Sequence, residues 1–505
     1  MKLNIYILLI LIGLSCSEAS KKEFPETEYC LPYQSGSLVS KNLNLDFISD
    51  IPKDKSGVFV LEEGEEAITS RAFLSQAARK SMDVQYFIYS EDNVGTISCD
   101  YMLRAACNGV KVRLLVDDLM VDLNPDYILD LEQHKNVSIK IYNPNLNIGK
   151  NLPSKIYETL SDFRGINQRM HHKTFIVDQS VAITGGRNIA DEYFDYDHEY
   201  NFRDRDVLLM GKVVADMQIA FDEYWDHELS IPITDLVEYS LEGLDPKITY
   251  QYIQAYANDS LNFWPEVRKQ IPNAIQYIMN SDHFYWVDSV AFVSDIPGKN
   301  DAKDGLQGGG LTTDALIDLV NKAKEEIYIQ SPYLIISDLG FNLFKNAVDK
   351  GINVTILTNS LCSTDNLEAF SGYQRNRKRL IEAGINIYEY RPDAAIRRDL
   401  MKGRLQRKLD FVPIFGLHAK SMVVDNTISV IGTFNLDPRS ANLNTECITI
   451  IHDARINADI KQIMKQELLP ENAWKVTKDF NPDKEAGFSK RMKVLTRKLV
   501  PTSVL

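Results

Sequence analysis

Two stretches of the chain share one pattern: HHKTFIVDQSVAITGGRN (171–188) and HAKSMVVDNTISVIGTFN (418–435). They align without a gap, and both obey His-x-Lys-x4-Asp-x6-Gly-x2-Asn. Since a given residue type occupies only about one position in twenty, five fixed residues found twice in corresponding places are no accident. The chain therefore contains a duplicated unit, and each motif has to be interpreted together with its partner.

The sequence around each motif repeats as well. In both halves, short runs rich in β-branched residues alternate with helical patterns of ten or more residues, which favours parallel sheets covered by helices. The predicted fold class is α/β, with two α/β/α layer domains packed pseudo-symmetrically around one shared active site. The strand-like runs are 82–89, 110–118 and 137–144 in the first half, and 325–333, 352–360 and 385–392 in the second.

The repeat divides the chain into predicted segments. Residues 308–310 are Gly-Gly-Gly, which indicates a hinge near the boundary between the halves. The predicted segments are a signal peptide (1–16), an N-terminal linker (17–55), a first domain (56–245), a connecting segment (246–312), a second domain (313–455) and a C-terminal tail (456–505).

Composition restricts the possible functions. The chain has 505 residues, of which 44% are hydrophobic and 25% charged, so more than one hydrophobic core is expected. With 56 Lys+Arg against 70 Asp+Glu, the net charge is 56 − 70 = −14, which disfavours binding to a polyanion. No nucleic-acid partner is therefore expected.

The cysteines and isolated histidines show no metal-binding pattern. No CxxC pair, HxxxH pair or Cys/His cluster occurs, so neither a zinc site nor a disulfide framework is expected, and no metal or other cofactor. The cysteines are Cys16, Cys30, Cys99, Cys107, Cys362 and Cys447, and the histidines outside the motifs are His134, His198, His227, His283 and His452.

The N-terminus has the features of an export signal. Lys2 precedes an apolar run from Ile5 to Leu14, which is short for a spanning helix and is followed by Ser-Cys. Cys16 resembles the lipidated cysteine of bacterial lipoproteins, although Gly13 stands where that pattern prefers leucine. Lipidation at Cys16 is the leading interpretation, and plain secretion or an uncleaved anchor are the alternatives. The body of the protein is expected outside the cytoplasm, at a membrane.

The residues of the motif fit phosphodiester chemistry. Residues two apart on a strand face the same side, so His171 projects with Lys173, and His418 with Lys420. Residues 181–184 are predicted to return as a second strand. This strand would bring the glycines and Asn188 near His171 and Lys173, and Asn435 would have the equivalent place in the second half. One imidazole can attack phosphorus while another protonates the leaving oxygen, without a metal. The lysines and asparagines can bind the nonbridging oxygens.

The doubled motif resembles that of the phospholipase D superfamily, over roughly residues 60–450. The stretches LTNSL (357–361), LDPRSANLNTE (436–446) and residues 170–194 are more narrowly similar to bacterial cardiolipin synthases, especially those of the C type. This resemblance implies ping-pong phosphatidyl transfer through a phosphohistidine. It implies His171 as nucleophile and His418 as general acid and then base, and the near-symmetry leaves the reverse assignment open.

The same resemblance implies that an acidic residue downstream of each motif orients a histidine. Glu446 is the candidate in the second half, and Asp206 is the candidate in the first half, with Asp204 as a competitor. The remaining motif residues are expected to be structural: Asp178, Asp425, Gly185, Gly186 and Gly432.

The predicted function is therefore a phosphatidyltransferase that makes cardiolipin from phosphatidylglycerol and a second phospholipid, for which phosphatidylethanolamine is one candidate. A phospholipase D or nuclease that transfers to water is the first alternative. A noncatalytic lipid-binding lipoprotein is the second. Basic residues at 375–379, 397–408 and 489–500 could contact anionic lipid headgroups, or could form solvated or packed helix faces.

Overall fold

The computed structural model describes residues 24–31, 45, 50–122, 125–144, 168–236, 244–299, 307–401 and 413–498. The predicted signal peptide, Cys16 and most of the basic stretch 397–408 lie outside the described residues. Two mixed β-sheets with helices on their faces make up the described part, one sheet for each half of the chain. This arrangement confirms the α/β fold class.

The first half is built on a nine-stranded sheet in the order β10-β1-β8-β6-β5-β2-β3-β4-β9. Its strands are β1 Ser56–Leu61, β2 Ser81–Ser90, β3 Lys111–Asp122, β4 Val137–Tyr142, β5 Lys173–Val177, β6 Val181–Gly185, β8 Asp206–Gly211, β9 Ser230–Pro232 and β10 Tyr285–Val287. Its helices are α1 Gly64–Ala77, α2 Asn93–Cys107, α3 Pro125–Glu132, α4 Lys212–Trp225, α5 Ile233–Leu236, α6 Pro246–Asn258, α7 Pro265–Arg268 and α8 Ala274–Met279.

The second half is built on an eight-stranded sheet in the order β11-β18-β17-β16-β12-β13-β14-β19. Its strands are β11 Val290–Ser294, β12 Glu326–Gln330, β13 Asn353–Asn359, β14 Asn386–Tyr390, β16 Ser421–Val424, β17 Ile428–Gly432, β18 Cys447–His452 and β19 Ala473–Lys475. Its helices are α9 Leu311–Lys322, α10 Asp338–Asp349, α11 Leu367–Glu382, α12 Arg397–Leu400, α13 Pro438–Asn442, α14 Ala454–Glu467 and α15 Phe488–Arg497.

Only the central strands of each sheet are parallel, so the expectation of parallel sheets is right in part. Strands β2, β3 and β4 run parallel, as do β12, β13 and β14. The motif strands β5 and β6 form an antiparallel hairpin, and so do β16 and β17. The reason is connection length: a turn of a few residues allows only an antiparallel return, whereas a parallel pair needs a helical crossover.

The two halves join through a hydrophobic layer between the sheets. Helices α4 and α14 supply much of this layer, for example Phe221 and Met464, and strands from both sheets close it. A short parallel pair, β7 (Tyr200–Arg203) with β15 (Ile414–Leu417), also links the halves directly. Main-chain hydrogen bonds between the halves fix their relative position, which in turn determines the geometry at the motifs.

The predicted connecting segment is divided between the halves. Helices α6, α7 and α8 pack into the first hydrophobic core, where Tyr250 and Ile275 are buried. Strand β10 then completes the first sheet and β11 begins the second, so the run 283–293 forms two strands and not one. The predicted tail supplies α14, β19 and α15 to the second half.

The expectation of no disulfide is wrong. Cys30 and Cys107 form a disulfide that attaches the segment 24–31 to the end of α2. His134 lies beside it, with Nε2 3.5 Å from the Cys30 sulfur. The two cysteines are 77 residues apart, and their pairing could not be inferred from spacing because only the fold brings them together.

Within the described ranges, no helix is both long enough and apolar enough to cross a bilayer.

Candidate active site

The two motifs meet at the junction of the halves, with each histidine just before a motif strand. The His171 amide donates to the Thr445 carbonyl at 2.9 Å, and the His418 amide donates to the Arg203 carbonyl at 2.8 Å. Each histidine therefore takes its backbone position from the opposite half. Both side chains are buried at 5–6% exposure.

A carboxylate of the second half holds His171. Its Nδ1 lies 2.8 Å from Glu446 Oε2, and the Thr433 hydroxyl donates to the same oxygen at 2.5 Å. Burial raises the pKa of Glu446 to about 7, against the opposing effect of Thr433 and Lys173. Because Nδ1 is engaged by the carboxylate, Nε2 is the nitrogen of His171 that can react.

A carboxylate of the first half holds His418. Its Nδ1 lies 2.6 Å from Asp204 Oδ2, which is slightly shorter than the usual hydrogen-bond distance. Although burial raises the pKa of Asp204, His418 and Lys420 outweigh that effect and hold the pKa well below its usual range. The histidine–carboxylate pairs thus cross between the halves.

Asp206, the first candidate for this role, contacts neither histidine. Its Oδ2 forms a buried ion pair with Arg71 at 2.8 Å, and its Oδ1 accepts the Arg187 amide at 3.2 Å. Asp204, the competitor, occupies the position behind His418 instead. Asp206 therefore belongs to the packing of the first half, where it fixes α1 against the motif hairpin.

The sheet register explains this correction. Gly185 is paired with Asp206 across β6 and β8, whereas Gly432 is paired with Ile448 across β17 and β18. The motif glycines are equivalent, so Asp206 corresponds to Ile448 and not to Glu446. The equivalent acids two positions earlier are Asp204 and Glu446. The longer first-half loop between the motif and this strand obscured the register in the sequence.

The motif glycines make room for neighbouring strands. A Cβ on Gly186 would lie 1.9 Å from Asp204 Oδ1, and one on Gly432 would lie 2.3 Å from the Cys447 carbonyl oxygen. Gly185 has φ +154 and equally close neighbours. These glycines therefore allow close packing of the neighbouring strands, and at Gly186 this packing positions Asp204.

Both motif lysines are buried beside the histidines. Lys173 Nζ donates to the His171 carbonyl at 2.8 Å, and Lys420 Nζ donates to the His418 carbonyl at 2.6 Å. Burial and the charge of Lys420 lower the pKa of Lys173 to about 7, and burial lowers the pKa of Lys420 to about 8. The charge of Lys420 also lowers the pKa of His171, so the two motifs share one electrostatic environment.

Both histidines have a lowered pKa, which favours the neutral imidazole. Burial, followed by the charge of Lys173, lowers the pKa of His171 well below its usual value. Burial and Lys420 lower the pKa of His418 to about 4, against the opposing effect of Asp204. An anionic phosphate that neutralises the lysines would remove part of this effect, so the site favours an anionic ligand.

The motif asparagines occupy equivalent positions but have different partners. Asn188 Oδ1 accepts the Ile88 amide at 3.1 Å. Asn435 is 5% exposed and its Oδ1 is buried without a hydrogen-bond partner in the described part of the chain. A carbonyl oxygen in this state can only accept a hydrogen bond, so a phosphate oxygen would be bound by Nδ2 of the same amide.

Aromatic side chains that the sequence did not single out form walls around the histidines. Phe87 packs edge-on against His171 with ring centres 5.0 Å apart. Tyr193 and Phe202 contact His418 at 5.1 and 4.7 Å. Each lies outside the repeated pattern, so only tertiary contact could identify it.

The motif aspartates accept hydrogen bonds from backbone amides and not from the histidines. Asp178 accepts the amides of residues 79–81, and Asp425 accepts those of residues 324–326. Both have positive φ, near 50°, at the hairpin turn. They connect each motif hairpin to the turn after the preceding helix, which is a structural contact.

Charged residues behind the site also could not be identified from the sequence. Arg203 bonds Glu62 and Glu467, and Arg205 bonds Glu62 as well, all in a buried network beside Asp204. Asp295 accepts the Glu446 amide at 3.0 Å and pairs with Lys299. Apart from Asp295 and Lys299, which are four residues apart, these groups lie in distant parts of the chain, so no local pattern indicates their contacts.

Among the described residues, one group has the spacing of metal ligands: Cys30, Cys107 and His134. It lies at the disulfide, where the two sulfurs are bonded to each other and are not thiolates.

Comparison with known proteins agrees with this geometry. The family described as "Cardiolipin synthase, PLD-like domain" matches residues 72–225 and 316–468, which include both motifs. Cardiolipin synthase C of Escherichia coli (strain K12) is 31% identical over 404 residues, covering 77% of this chain and 80% of that protein. A protein of Helicobacter pylori (strain J99) is 34% identical over 439 residues, covering 86% and 83%.

A solved structure has the same fold. Phosphatidylserine synthase of Haemophilus influenzae Rd KW20 superposes with a TM-score of 0.58 at 16% identity, covering 89% of this chain and 95% of that one. The family match, the Escherichia coli relative and the doubled motif lead to one conclusion. The chain belongs to the cardiolipin synthase family of the phospholipase D superfamily, whose members are phosphatidyltransferases and phosphodiesterases.

Proposed function

We propose that this protein is a phosphatidyltransferase that makes cardiolipin from phosphatidylglycerol through a phosphohistidine on His171. The observation that carries the proposal is the crossed pairing of the histidines, in which Glu446 and Asp204 each engage one Nδ1. The proposed chemistry requires both imidazoles to present Nε2 to one phosphorus, and the charge of Lys420, which lowers the pKa of both histidines, supports their proximity. A nucleophile and a proton donor on opposite sides of one phosphorus need this arrangement.

The two carboxylates divide the roles between the histidines. Asp204 stays ionised because His418 and Lys420 hold its pKa low, so it stabilises a protonated His418. Glu446 has a pKa raised to about 7 by burial and gives His171 less support as a cation. His171 is therefore the neutral nucleophile, and His418 is the acid. This difference favours the assignment over its reverse.

The reaction then has two balanced steps. His171 Nε2 forms a bond to phosphorus, the bond from phosphorus to the glycerol oxygen breaks, and His418 gives that oxygen its proton. A hydroxyl of a second phosphatidylglycerol next loses its proton to His418, and its oxygen attacks phosphorus as the bond to His171 breaks. The products are cardiolipin and glycerol, and both histidines return to their starting forms.

Lys173, Lys420 and Asn435 are suited to bind the nonbridging oxygens during both steps. The lysines have lowered pKa values of about 7 and 8, so an approaching phosphodiester stabilises their charged forms. A buried cation gives more stabilisation to the transition state than an exposed one, because water does not screen it.

An exported, membrane-facing location is part of the proposal. The N-terminal apolar run with Cys16 supports a lipoprotein facing the periplasm. The Cys30–Cys107 disulfide supports the same location, since disulfides persist in oxidising compartments. Mass spectrometry of the mature protein should find acyl chains on Cys16 as the first residue, and any other N-terminus would remove the lipoprotein part of the proposal.

Product analysis tests the reaction. Purified protein is supplied with phosphatidylglycerol labelled in its headgroup glycerol and, separately, in its acyl chains. The expected products are labelled cardiolipin and free glycerol in equal amounts. Release of phosphatidic acid alone would contradict the transferase and indicate the hydrolase, and no product from any lipid would indicate a lipid-binding protein.

Two controls sharpen the assay. A mixture with headgroup-labelled phosphatidylethanolamine shows whether a second donor is used, since ethanolamine then appears with cardiolipin. His418→Ala should lower turnover by roughly 1,000-fold or more, because both proton transfers are lost. An unchanged rate in that variant would overturn the two-histidine mechanism.

A further inference from the structure

The second half contains an apolar cavity between its helices and its sheet. It has a volume of about 120 Å³ and lies beneath α9 and α10, above β12, β16 and β17. Its wall is almost wholly aliphatic or aromatic and includes Leu316, Val320, Phe344, Met422, Val430 and Phe434. A cavity of this kind stays dry and accepts apolar ligands, as engineered ones of roughly 150 Å³ do.

The first half shows that the fold does not require this cavity. The corresponding space beneath α1 and α2 has a volume of only about 30 Å³. Arg71, Tyr86, Tyr101 and Phe194 fill it, and Arg71 Nε bonds the Tyr86 hydroxyl at 3.1 Å. The described lining of the second cavity contains no tyrosine and no arginine.

The residue equivalent to Tyr86 explains much of the difference. Tyr86 is paired with Lys173 across β2 and β5, and Gln330 is paired with Ser421 across β12 and β16. The counterpart of Tyr86 is therefore Ser331, which lacks the ring that fills the first half. An empty apolar space destabilises a protein, so a cavity kept in one repeat and filled in the other suggests a use.

The cavity shares a residue with the candidate site. Lys420 lines the cavity, while the ammonium of the same residue donates to the His418 carbonyl at 2.6 Å. Leu339, in the first turn of α10, also borders it and is 64% exposed. A ligand with an anionic head at Lys420 would therefore find an apolar channel beside it.

We propose that this cavity binds the carbons next to the ester of one acyl chain of the phospholipid whose phosphate lies between the two histidines. The inference rests on the proposed function, because only a lipid phosphodiester has an apolar chain attached near the reacting phosphorus. The chain leaves the glycerol backbone along the aliphatic part of Lys420 and enters between Met422, Val430 and Phe434. The second half thus selects substrate by its chain, and the first half does not.

Chain-length dependence of turnover tests this proposal. The native protein is compared on diacetyl- and dioleoyl-phosphatidylglycerol in the same neutral detergent, because two-carbon chains leave the cavity empty, and the measured quantity is the ratio of kcat/KM for long over short chains. Ile317→Trp places a ring into the cavity from α9, and Leu343→Trp does so from α10. Each variant should lower the ratio at least tenfold. Ile219→Trp, at an exposed isoleucine on α4, is the matched control and should leave the ratio unchanged.

The possible outcomes separate the two proposals. Turnover by the native protein with ratios that stay within twofold in both cavity variants would overturn the acyl site and leave the proposed function intact. Failure of the native protein to turn over either lipid would overturn the proposed function and this inference with it. The two variants enter from different helices, so misfolding of one, checked by circular dichroism, leaves the other as the test.

Discussion

At the scale of single residues, Asp204 is the side chain on which the proposed acidity of His418 depends. Its carboxylate lies 2.6 Å from His418 Nδ1 and is fully buried. Asp204→Asn keeps the shape but removes the charge that stabilises an imidazolium, so kcat should fall by roughly 100-fold or more. Steady-state kinetics with phosphatidylglycerol measure the effect.

Asp206→Asn is the matched control for this change, since Asp206 lies two residues further along the chain, at the start of β8, and pairs with Arg71. It should lower the free energy of unfolding while keeping most of kcat. If Asp206→Asn abolished turnover in a folded protein and Asp204→Asn did not, the assignment made from the sheet register would be wrong.

Lys173 is expected to destabilise the folded protein, although the proposed reaction requires it. Burial and Lys420 lower its pKa to about 7 from the usual 10.5, so the unfolded chain binds its proton more strongly than the folded one. The destabilisation is therefore complete below about pH 7 and declines as the pH rises toward 10.5. Lys173→Met should raise the apparent Tm at pH 6 by about 2 °C or more and abolish turnover.

Thermal unfolding of both proteins from pH 6 to pH 9 checks this, and the difference in apparent Tm should shrink as the pH rises. A Met variant less stable than the native protein at pH 6 would show that the lysine is not under electrostatic strain.

At the scale of elements, helix α15 has two different faces. Val494 packs into the second core, and Lys490 Nζ donates to the carbonyls of Cys362 and Thr364 in the loop after β13. On the other face, Phe488, Met492 and Leu495 are 71%, 48% and 51% exposed. One face of this basic tail is therefore packed, and an apolar stripe remains exposed among lysines and arginines on the other, so membrane contact stays a prediction.

We expect α15 to rest on an anionic membrane surface. Serine at Phe488, Met492 and Leu495 together should weaken binding to phosphatidylglycerol vesicles at least tenfold, since apolar burial and basic charge both contribute to interfacial helices. Vesicle sedimentation measures this, in a Cys16→Ser background that removes any lipid anchor. In a matched control, serines replace Ile219, Ile248 and Leu261, which are exposed elsewhere, and this variant should bind like its parent. If the control lost as much binding as the α15 variant, the expectation would be refuted.

At the scale of the whole molecule, the disulfide attaches the N-terminal segment to the first domain. Cys30 and Cys107 are 77 residues apart in sequence, and the segment 24–31 also bonds through Thr27 to Gln133. Replacing both cysteines with serine should lower the free energy of unfolding by about 2–4 kcal/mol. Cys362→Ser, at a half-buried free thiol, should have a smaller effect.

Denaturant unfolding with and without a reducing agent checks this prediction. The native protein should lose stability on reduction, and the double serine variant should not respond. A native protein that is insensitive to the reducing agent would show that the bond does not form or does not contribute.

The local pattern was sufficient for the repeat, the alternation of strands and helices and the identity of the motif residues. Hairpin turns and same-face pairs such as His171 and Lys173 depend on short-range backbone geometry, which can be predicted directly from the sequence. The choice between Asp204 and Asp206 could not be made locally, because residues two apart face the same side of a strand and only the pairing of β6 with β8 shows which of the two is equivalent to Glu446.

The sequence by itself determined which groups could do chemistry: two histidines, two lysines and two asparagines at matching places in two α/β units. Only the tertiary structure decided that Glu446 supports His171 and Asp204 supports His418, that Cys30 meets Cys107, and that one repeat has a filled core and the other an open one. The physical reason is the same in each case. These contacts join residues far apart in the chain, and they follow from how the two sheets pack and not from any local spacing.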